Sequence, residues 1–239
     1  MNKEIYKFPI TPHLTVLGQT VIRDDKVMSK QEVDEFLSHE LVVEEKVDGA
    51  NLGISFDSSG SLKRQNRGAY LEAPFTGQWK KLPEWLLPKT DLFLDVLSDQ
   101  YILFGEWCYA QHSVYYDQLS DWFLGFDVFD KNEQRFFSSQ RRDSMFQRLG
   151  ICQTPFIARG HFSFETLGTL FSKSLLSEEP SEGLYLRYDD GDWLGQRAKL
   201  VRSQFVQNIE KHWTRGGIRP NRLIHRISGS EKIDGGISA

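Results

Sequence analysis

A lysine becomes a nucleophile only as a free amine, so its pKa must fall from about 10.4. Desolvation and nearby positive charge lower it, and a strand fixes the amine's aim. Lys46 suits this chemistry, in Glu45-Lys46-Val47-Asp48-Gly49-Ala50-Asn51, where Gly49 lets the backbone turn tightly beside a bulky group. The pattern Lys-x-Asp-Gly is weak alone, because Lys232-Ile233-Asp234-Gly235 also fits it. That copy lies in a Gly/Ser tail with no strand to build a pocket, and is read as chance. Five further features follow Lys46 in order. Arg67, in Asn66-Arg67-Gly68, suits a phosphate clamp. Glu106, ending Phe104-Gly105-Glu106, could accept hydrogen bonds from ribose hydroxyls. Phe126 offers a face for a purine, and Glu182, at a strand start, suits a metal. Arg197 and Lys199 share one strand face, since side chains repeat with period two. Each has a structural alternative as core packing or exposed charge, but their joint order points to nucleotide chemistry. Cys108 with His112 is one pair of potential metal ligands, too few for a site, and is read as structural.

The elements that position these residues can be read from pattern. Residues 41–47 form a strand, 48–51 break it, and 52–56 resume with alternation before the turn Asp57-Ser58-Ser59-Gly60, which suggests an antiparallel pair. A helix is expected from Pro83 to Leu97, then aromatic strands at 101–107 and 122–129. Another helix runs from Ser138 or Ser139 to Leu149, stopped by Gly150, and a further one over Phe164 to Leu176. Residues 183–188 and Trp193 to Val201 make a hairpin around Asp189-Asp190-Gly191-Asp192. A helix over Ser203 to Trp213 meets breakers at Gly216-Gly217 and Pro220, and Ser228 to Ala239 is expected to be disordered. Residues 1–40 carry no motif, and His13 and His39 are read as surface residues. The result is an α+β chain of largely antiparallel sheets with flanking helices.

The 239 residues suffice for one large domain with a short appendage, expected as a catalytic body over 1–202 and a basic extension over 203–239. No apolar run is long enough for a membrane helix, and the N-terminus lacks a secretory signal's apolar core. Two cysteines make no disulfide framework, so a cytoplasmic location is expected. Net charge is −4, which argues against a polyanion partner until its distribution is considered. Residues Arg197 to Arg226 hold eight basic residues and one acid, a net +7 that leaves −11 on the rest. A basic end on an acidic body fits RNA contact, with Trp213 among the cations able to stack on a base; docking of a helix on the core is the alternative.

In this order the motifs resemble the covalent nucleotidyltransferase superfamily of polynucleotide ligases and mRNA capping enzymes, most closely ATP-dependent RNA ligases of the T4 RNA ligase 2 type. The resemblance runs from about Val42 to Arg202. It implies a nucleotidyltransferase domain of the ATP-grasp-like ligase class, ATP with Mg²⁺ or Mn²⁺, and RNA with 3′-OH and 5′-phosphate ends. Lys46 would carry AMP, Asp48 stands where the family has Asp or His, and Asn51 and Arg67 match positions engaging the RNA 5′-phosphate. Glu106 matches the ribose contact, Phe126 the adenine-stacking aromatic, Glu182 the metal-associated carboxylate and Lys199 the lysine on the α-phosphate. One departure is Arg197, where those ligases usually have lysine; arginine binds phosphate but cannot donate a proton or present a compact charge. Only 37 residues follow Arg202, too few for the OB-fold barrel of DNA ligases and capping enzymes. A minimal DNA ligase, an inactive RNA-binding protein of this fold, and AMP transfer to a protein or small molecule stay open, as does an end-healing kinase or phosphatase partner.

Overall fold

The computed structural model describes residues 5–17, 27–203, 205 and 218–224. Two sheets make its frame. The first, in order β10-β9-β1-β8, joins β1 (Leu41–Lys46), β8 (Phe156–Gly160), β9 (Gly183–Asp190) and β10 (Trp193–Val201), all antiparallel. The second runs β3-β2-β4-β5-β6: β2 (Ala50–Phe56), β3 (Leu62–Gln65), β4 (Tyr101–Trp107), β5 (Phe123–Asp130) and β6 (Arg135–Phe136). A short β7 (Cys152–Gln153) pairs with β5 in parallel, so the sheets are largely antiparallel. The α+β class follows directly.

Period-two alternation assigns each face. In β2, Ala50, Leu52, Ile54 and Phe56 enter a core with the helices α2 (Leu82–Leu86), α3 (Thr90–Leu97) and α4 (Ser139–Leu149), which leaves Asn51 on the other face. In the first sheet, Leu41, Val43, Leu184, Leu186, Ala198 and Leu200 pack in a second core with Phe36 of α1 (Lys30–Leu37) and Leu167 of α5 (Phe164–Thr169). That leaves Glu44, Lys46, Tyr185, Arg187, Arg197 and Lys199 on the opposite face, toward β5.

Charges bind the two sheets in the interior. Arg142 of α4 donates to both Glu44 oxygens, at 2.6 and 3.1 Å, and to the Phe126 carbonyl at 3.0 Å. Arg187 donates to the same carbonyl at 3.1 Å, to Asp127 at 2.5 Å and to the Phe137 carbonyl at 2.9 Å. These residues are 0–1% exposed, apart from Phe126 at 7%. Burial works against the Arg187 charge, but Asp127 and Glu44 outweigh it and hold its pKa above the ordinary value.

Several elements differ from the sequence expectation. The strands on either side of the Lys46 turn do not pair with each other: β1 and β2 belong to different sheets, so residues 47–49 cross between them. The helix expected over 83–97 is divided at Pro88, which lacks an N–H and disfavours helix in its predecessor, and a 3₁₀ turn Leu87–Lys89 separates α2 from α3. The helix expected to reach Leu176 stops at Thr169, because the buried Glu45 carboxylate takes the Ser174 hydroxyl and the Leu175 N–H. α4 is capped by Ser138 and ends at Gly150, with φ 63°, as expected. His13 is buried at 9% exposure and its carbonyl accepts from Met28, so it is not a surface residue. His39 is partly buried too, stacked on Tyr188 at 3.7 Å.

The helix expected from Ser203 and the tail from Ser228 lie outside the described residues, apart from the helical positions Ser203 and Phe205. Within 218–224, Asn221 donates to the Cys108 carbonyl and accepts from the Tyr116 N–H, docking this stretch on the body. Arg202 donates to the carbonyls of Ser181 and Ser172, so part of the basic end serves internal bonds. Among the described residues no helix is long and apolar enough to cross a membrane.

Removing one partner of a buried ion pair leaves the other charge uncompensated, at a cost of about 3–5 kcal/mol. Arg142→Ala should lose stability on that scale in urea titration. The double variant Glu44→Leu/Arg142→Met should lose less than the single one; a larger loss contradicts this account of the pair.

Candidate active site

Lys46 is the last residue of β1, paired in register with Gly183, so the preceding Glu182 stands beside it. Its Nζ lies 2.6 Å from Glu182 Oε2, with side chains 22% and 13% exposed. Burial pushes the Lys46 pKa down, yet Glu182, Asp48 and Glu106 outweigh it and hold it above its usual value. The ligand-free amine is therefore an ammonium ion, opposite to what nucleophilic attack needs. Burial raises the carboxyls themselves, Glu182 to about 7 and Glu106 to about 8.

Two recesses share Lys46. The inner cavity is lined by Lys46, Asn51, Arg67, Glu106, Phe126 and Lys199 among others. An outer, wider groove is lined by Lys46, Asp48, Asn51, Asn66, Arg67, Gln78, Trp79, Glu106 and His112. Asn51 and Glu106 are register partners on β2 and β4. Both polar atoms of Asn51, Glu106 Oε2 and Thr154 Oγ1 are buried without a hydrogen-bond partner. Unmet polar atoms clustered in a cavity indicate a polar ligand.

Phe126 owes its place to an irregularity. The β4–β5 register steps from Phe104↔Asp127 to Gly105↔Gly125 and skips Phe126. Such a bulge re-aims a side chain and releases its carbonyl from the ladder, and Arg142 and Arg187 take that carbonyl up. Asp48 is held below Lys46: its N–H donates to the Tyr116 hydroxyl at 2.8 Å, and its carboxylate accepts from the Ser113 N–H at 2.6 Å. Gly49 is required for closeness, since a Cβ there would come within 2.9 Å of the Trp107 carbonyl oxygen. It has no positive φ, so this close approach, and not a left-handed backbone, is what calls for glycine.

Arg197 is not among the cavity's lining residues. It donates to Asp127 at 2.5 Å and to the Tyr185 hydroxyl at 3.3 Å, and lies over the rings of Phe8 and Phe136. The site thus gathers Lys46, Asn51, Arg67, Glu106, Phe126, Glu182 and Lys199, sets Asp48 at the groove, and leaves Arg197 behind Tyr185. Cys108 is buried against the Glu106 carbonyl, and His112, bonded to Gln78, lines the outer groove. Among the described residues no cluster of three or more His, Cys, Asp or Glu could hold a metal.

Residues that the sequence did not mark also line the cavity: Phe8, Ile10 and Thr11 from the N-terminal segment, with Thr154 and Tyr185. Phe8-Pro9-Ile10 has apolar character, but three residues without periodicity carry no signal of a site.

Residues 39–201 match the family model described as RNA ligase. The chain belongs to the RNA ligase family. No curated protein matches it at a significant level. Among solved structures, an RNA ligase of Naegleria gruberi shares the fold. A lysine-to-alanine variant with ATP and Mn aligns at TM-score 0.61 and 15% identity, over 74% of this chain and 54% of that one. An arginine-to-alanine variant with ATP and Mn gives 0.61 and 17%, over 87% and 58%. The same ligase with pyrophosphate gives 0.61 and 15%, over 87% and 64%. This RNA ligase family member therefore spans between half and two thirds of those chains' length.

The raised Glu106 pKa has a consequence for folding. The folded chain keeps a proton that the unfolded chain, near 4.5, loses, so this group's contribution to stability falls as pH rises from 4.5 to about 8 and is level above. Glu106→Gln should leave the thermal midpoint of the cation-free protein near wild type at pH 4.5 and raise it at pH 8. A gap that does not widen with pH contradicts the burial of this carboxyl.

Proposed function

We propose that the chain is an ATP-dependent RNA ligase that joins 3′-OH and 5′-phosphate RNA ends through a lysyl-AMP intermediate and an adenylated 5′ end. The observation that carries this reading is the position of Lys46, at the meeting of an inner cavity and an outer, more open groove in a chain of the RNA ligase family. Neighbouring structures of the same fold hold ATP with Mn, AMP with Mn, or pyrophosphate, which supports ATP and a divalent cation here.

In the first transfer the Lys46 amine attacks the α-phosphorus, forming the N–P bond as the bond to pyrophosphate breaks. The amine must first lose the proton that its acidic neighbours hold. Glu182 would hold a divalent cation together with phosphate oxygens, since Mg²⁺ is commonly bound by one or two carboxylates and the substrate's phosphates. When bound, such a cation adds positive charge against this acidic field and against the charge gathering on the phosphoryl oxygens. Lys199 contacts the α-phosphate, Glu106 the ribose and Phe126 the base, with Asp48 at the foot of Lys46. Arg197 acts behind the lining, holding Tyr185 and Asp127.

In the second transfer AMP passes from Lys46 to an RNA 5′-phosphate, held by Asn51 and Arg67, which border both recesses. In the third, a 3′-OH attacks the activated 5′-phosphate, forming the phosphodiester and releasing AMP. Positioned cations supply most of such catalysis, and loss of one donor costs on the order of 10²–10³-fold in rate.

Incubation with α-labelled ATP and Mg²⁺ or Mn²⁺ should label the wild-type protein. Lys46→Ala should give no adduct, and Lys199→Ala should lose adenylation by about 10²-fold or more. A labelled Lys46→Ala protein would remove the assignment. Sealing should be seen with 5′-phosphate RNA, compared as nicked duplex, stem-loop and single strand, and should exceed sealing of DNA nicks. Equal or better sealing of DNA would favour a minimal DNA ligase, and no adduct from wild type an RNA-binding protein.

A further inference from the structure

Residues 5–17 pass along the inner cavity and are tied to both sheets. Tyr6 stacks on Phe129 at 3.8 Å, and its carbonyl accepts from Gln65 Nε2 at 2.7 Å. Further on, the Pro12 carbonyl accepts from the Lys199 N–H at 2.9 Å, and the Leu14 N–H donates to the Lys199 carbonyl at 2.8 Å. Both backbone groups of Lys199 are thus engaged by this segment. Between the ties, Phe8 meets Phe126 edge-on at 5.2 Å and Phe104 at 5.0 Å.

The three lining residues of the segment differ in exposure. Phe8 is 5% and Thr11 8% exposed, so packing has consumed them. Ile10 lines the same cavity yet is 57% exposed, on a backbone fixed to either side. Apolar area held at a cavity mouth gains free energy only when something covers it. The lining is also divided in character. Lys46, Arg67 and Lys199 supply charge and Glu106 a polar carboxyl, while Phe8, Ile10 and Phe126 supply apolar surface. A nucleotide has the same division between phosphates and nucleoside.

We propose that residues 5–17 are a wall of the nucleotide site, and that Ile10 covers the nucleoside part of ATP together with Phe126. This rests on the adenylation reading above. It assigns a binding role to a segment that lies before the residues matched by the family model. The segment also has a positioning role, because it fixes the backbone of Lys199.

The test uses the full chain with Ile10→Ala and Ile10→Asp, whose exposed side chain leaves the fold intact, checked by thermal midpoint. Half-saturating ATP for adduct formation should rise roughly threefold to tenfold for Ala, and further for Asp. The rate at saturating ATP should stay within about twofold of wild type, the pattern of lost uniform binding. Half-saturating pyrophosphate for the reverse reaction, in which pyrophosphate oxygen displaces Lys46 from phosphorus, should not change, since the nucleoside is then already in place. Unchanged half-saturating ATP in Ile10→Asp overturns the proposal while leaving adenylation standing. If the wild type forms no adduct, the adenylation reading fails, and equilibrium binding of ATP to the same variants still decides the wall: equal affinities overturn it, weaker binding by both variants supports it.

Discussion

Five buried charges, Glu44, Asp127, Arg142, Arg187 and Arg197, hold the two sheets at a fixed separation, and the site depends on that separation. Glu44, Arg187 and Arg197 lie on one sheet, Asp127 on the other, and Arg142 on the helix packed beside them. A buried charge is tolerable only when paired and hydrogen-bonded, which makes such a network demanding in geometry. That demand is useful here. It sets the surface bearing Lys46 and Lys199 across from the one bearing Glu106 and Phe126, at a spacing that leaves a cavity rather than a packed core.

The network also accounts for Arg197. At this position the family resemblance expects a lysine that meets the nucleotide. Arginine reaches Asp127 and the Tyr185 hydroxyl instead, and its flat face packs over Phe8 and Phe136. A guanidinium can do both at once, whereas an ammonium offers no planar face for stacking. With arginine here the charge sits in the support of the cavity, and Lys199, two residues on, is the cation that β10 contributes to the lining.

What the sequence made legible was chemistry on regular elements. Lys46, Glu106, Phe126 and Lys199 stand in strands recognisable by pattern, and Glu182 immediately before one, so their types and order sufficed. The hairpin of β9 and β10 and the caps of α4 were readable for the same local reason. What stayed hidden depends on distant partners. The division of β1 and β2 between sheets is set by which strands they meet, and the early end of α5 by a carboxylate far away in sequence. Nor does alternation disclose that Phe126 sits outside the ladder, or that Phe8 and Ile10, with no motif of their own, reach the cavity. His13 was misread because its burial comes from a strand edge near the other end of the chain.

The bulge at Phe126 has a consequence for how the site comes apart. Its carbonyl has exchanged a strand partner for two guanidiniums that are themselves locked in the interior. Local fraying cannot release that stretch of backbone, because doing so would strip two buried cations of an acceptor together. Amide exchange around Phe126 should thus follow the slowest-opening part of the molecule, so that this side of the cavity persists for as long as the core does.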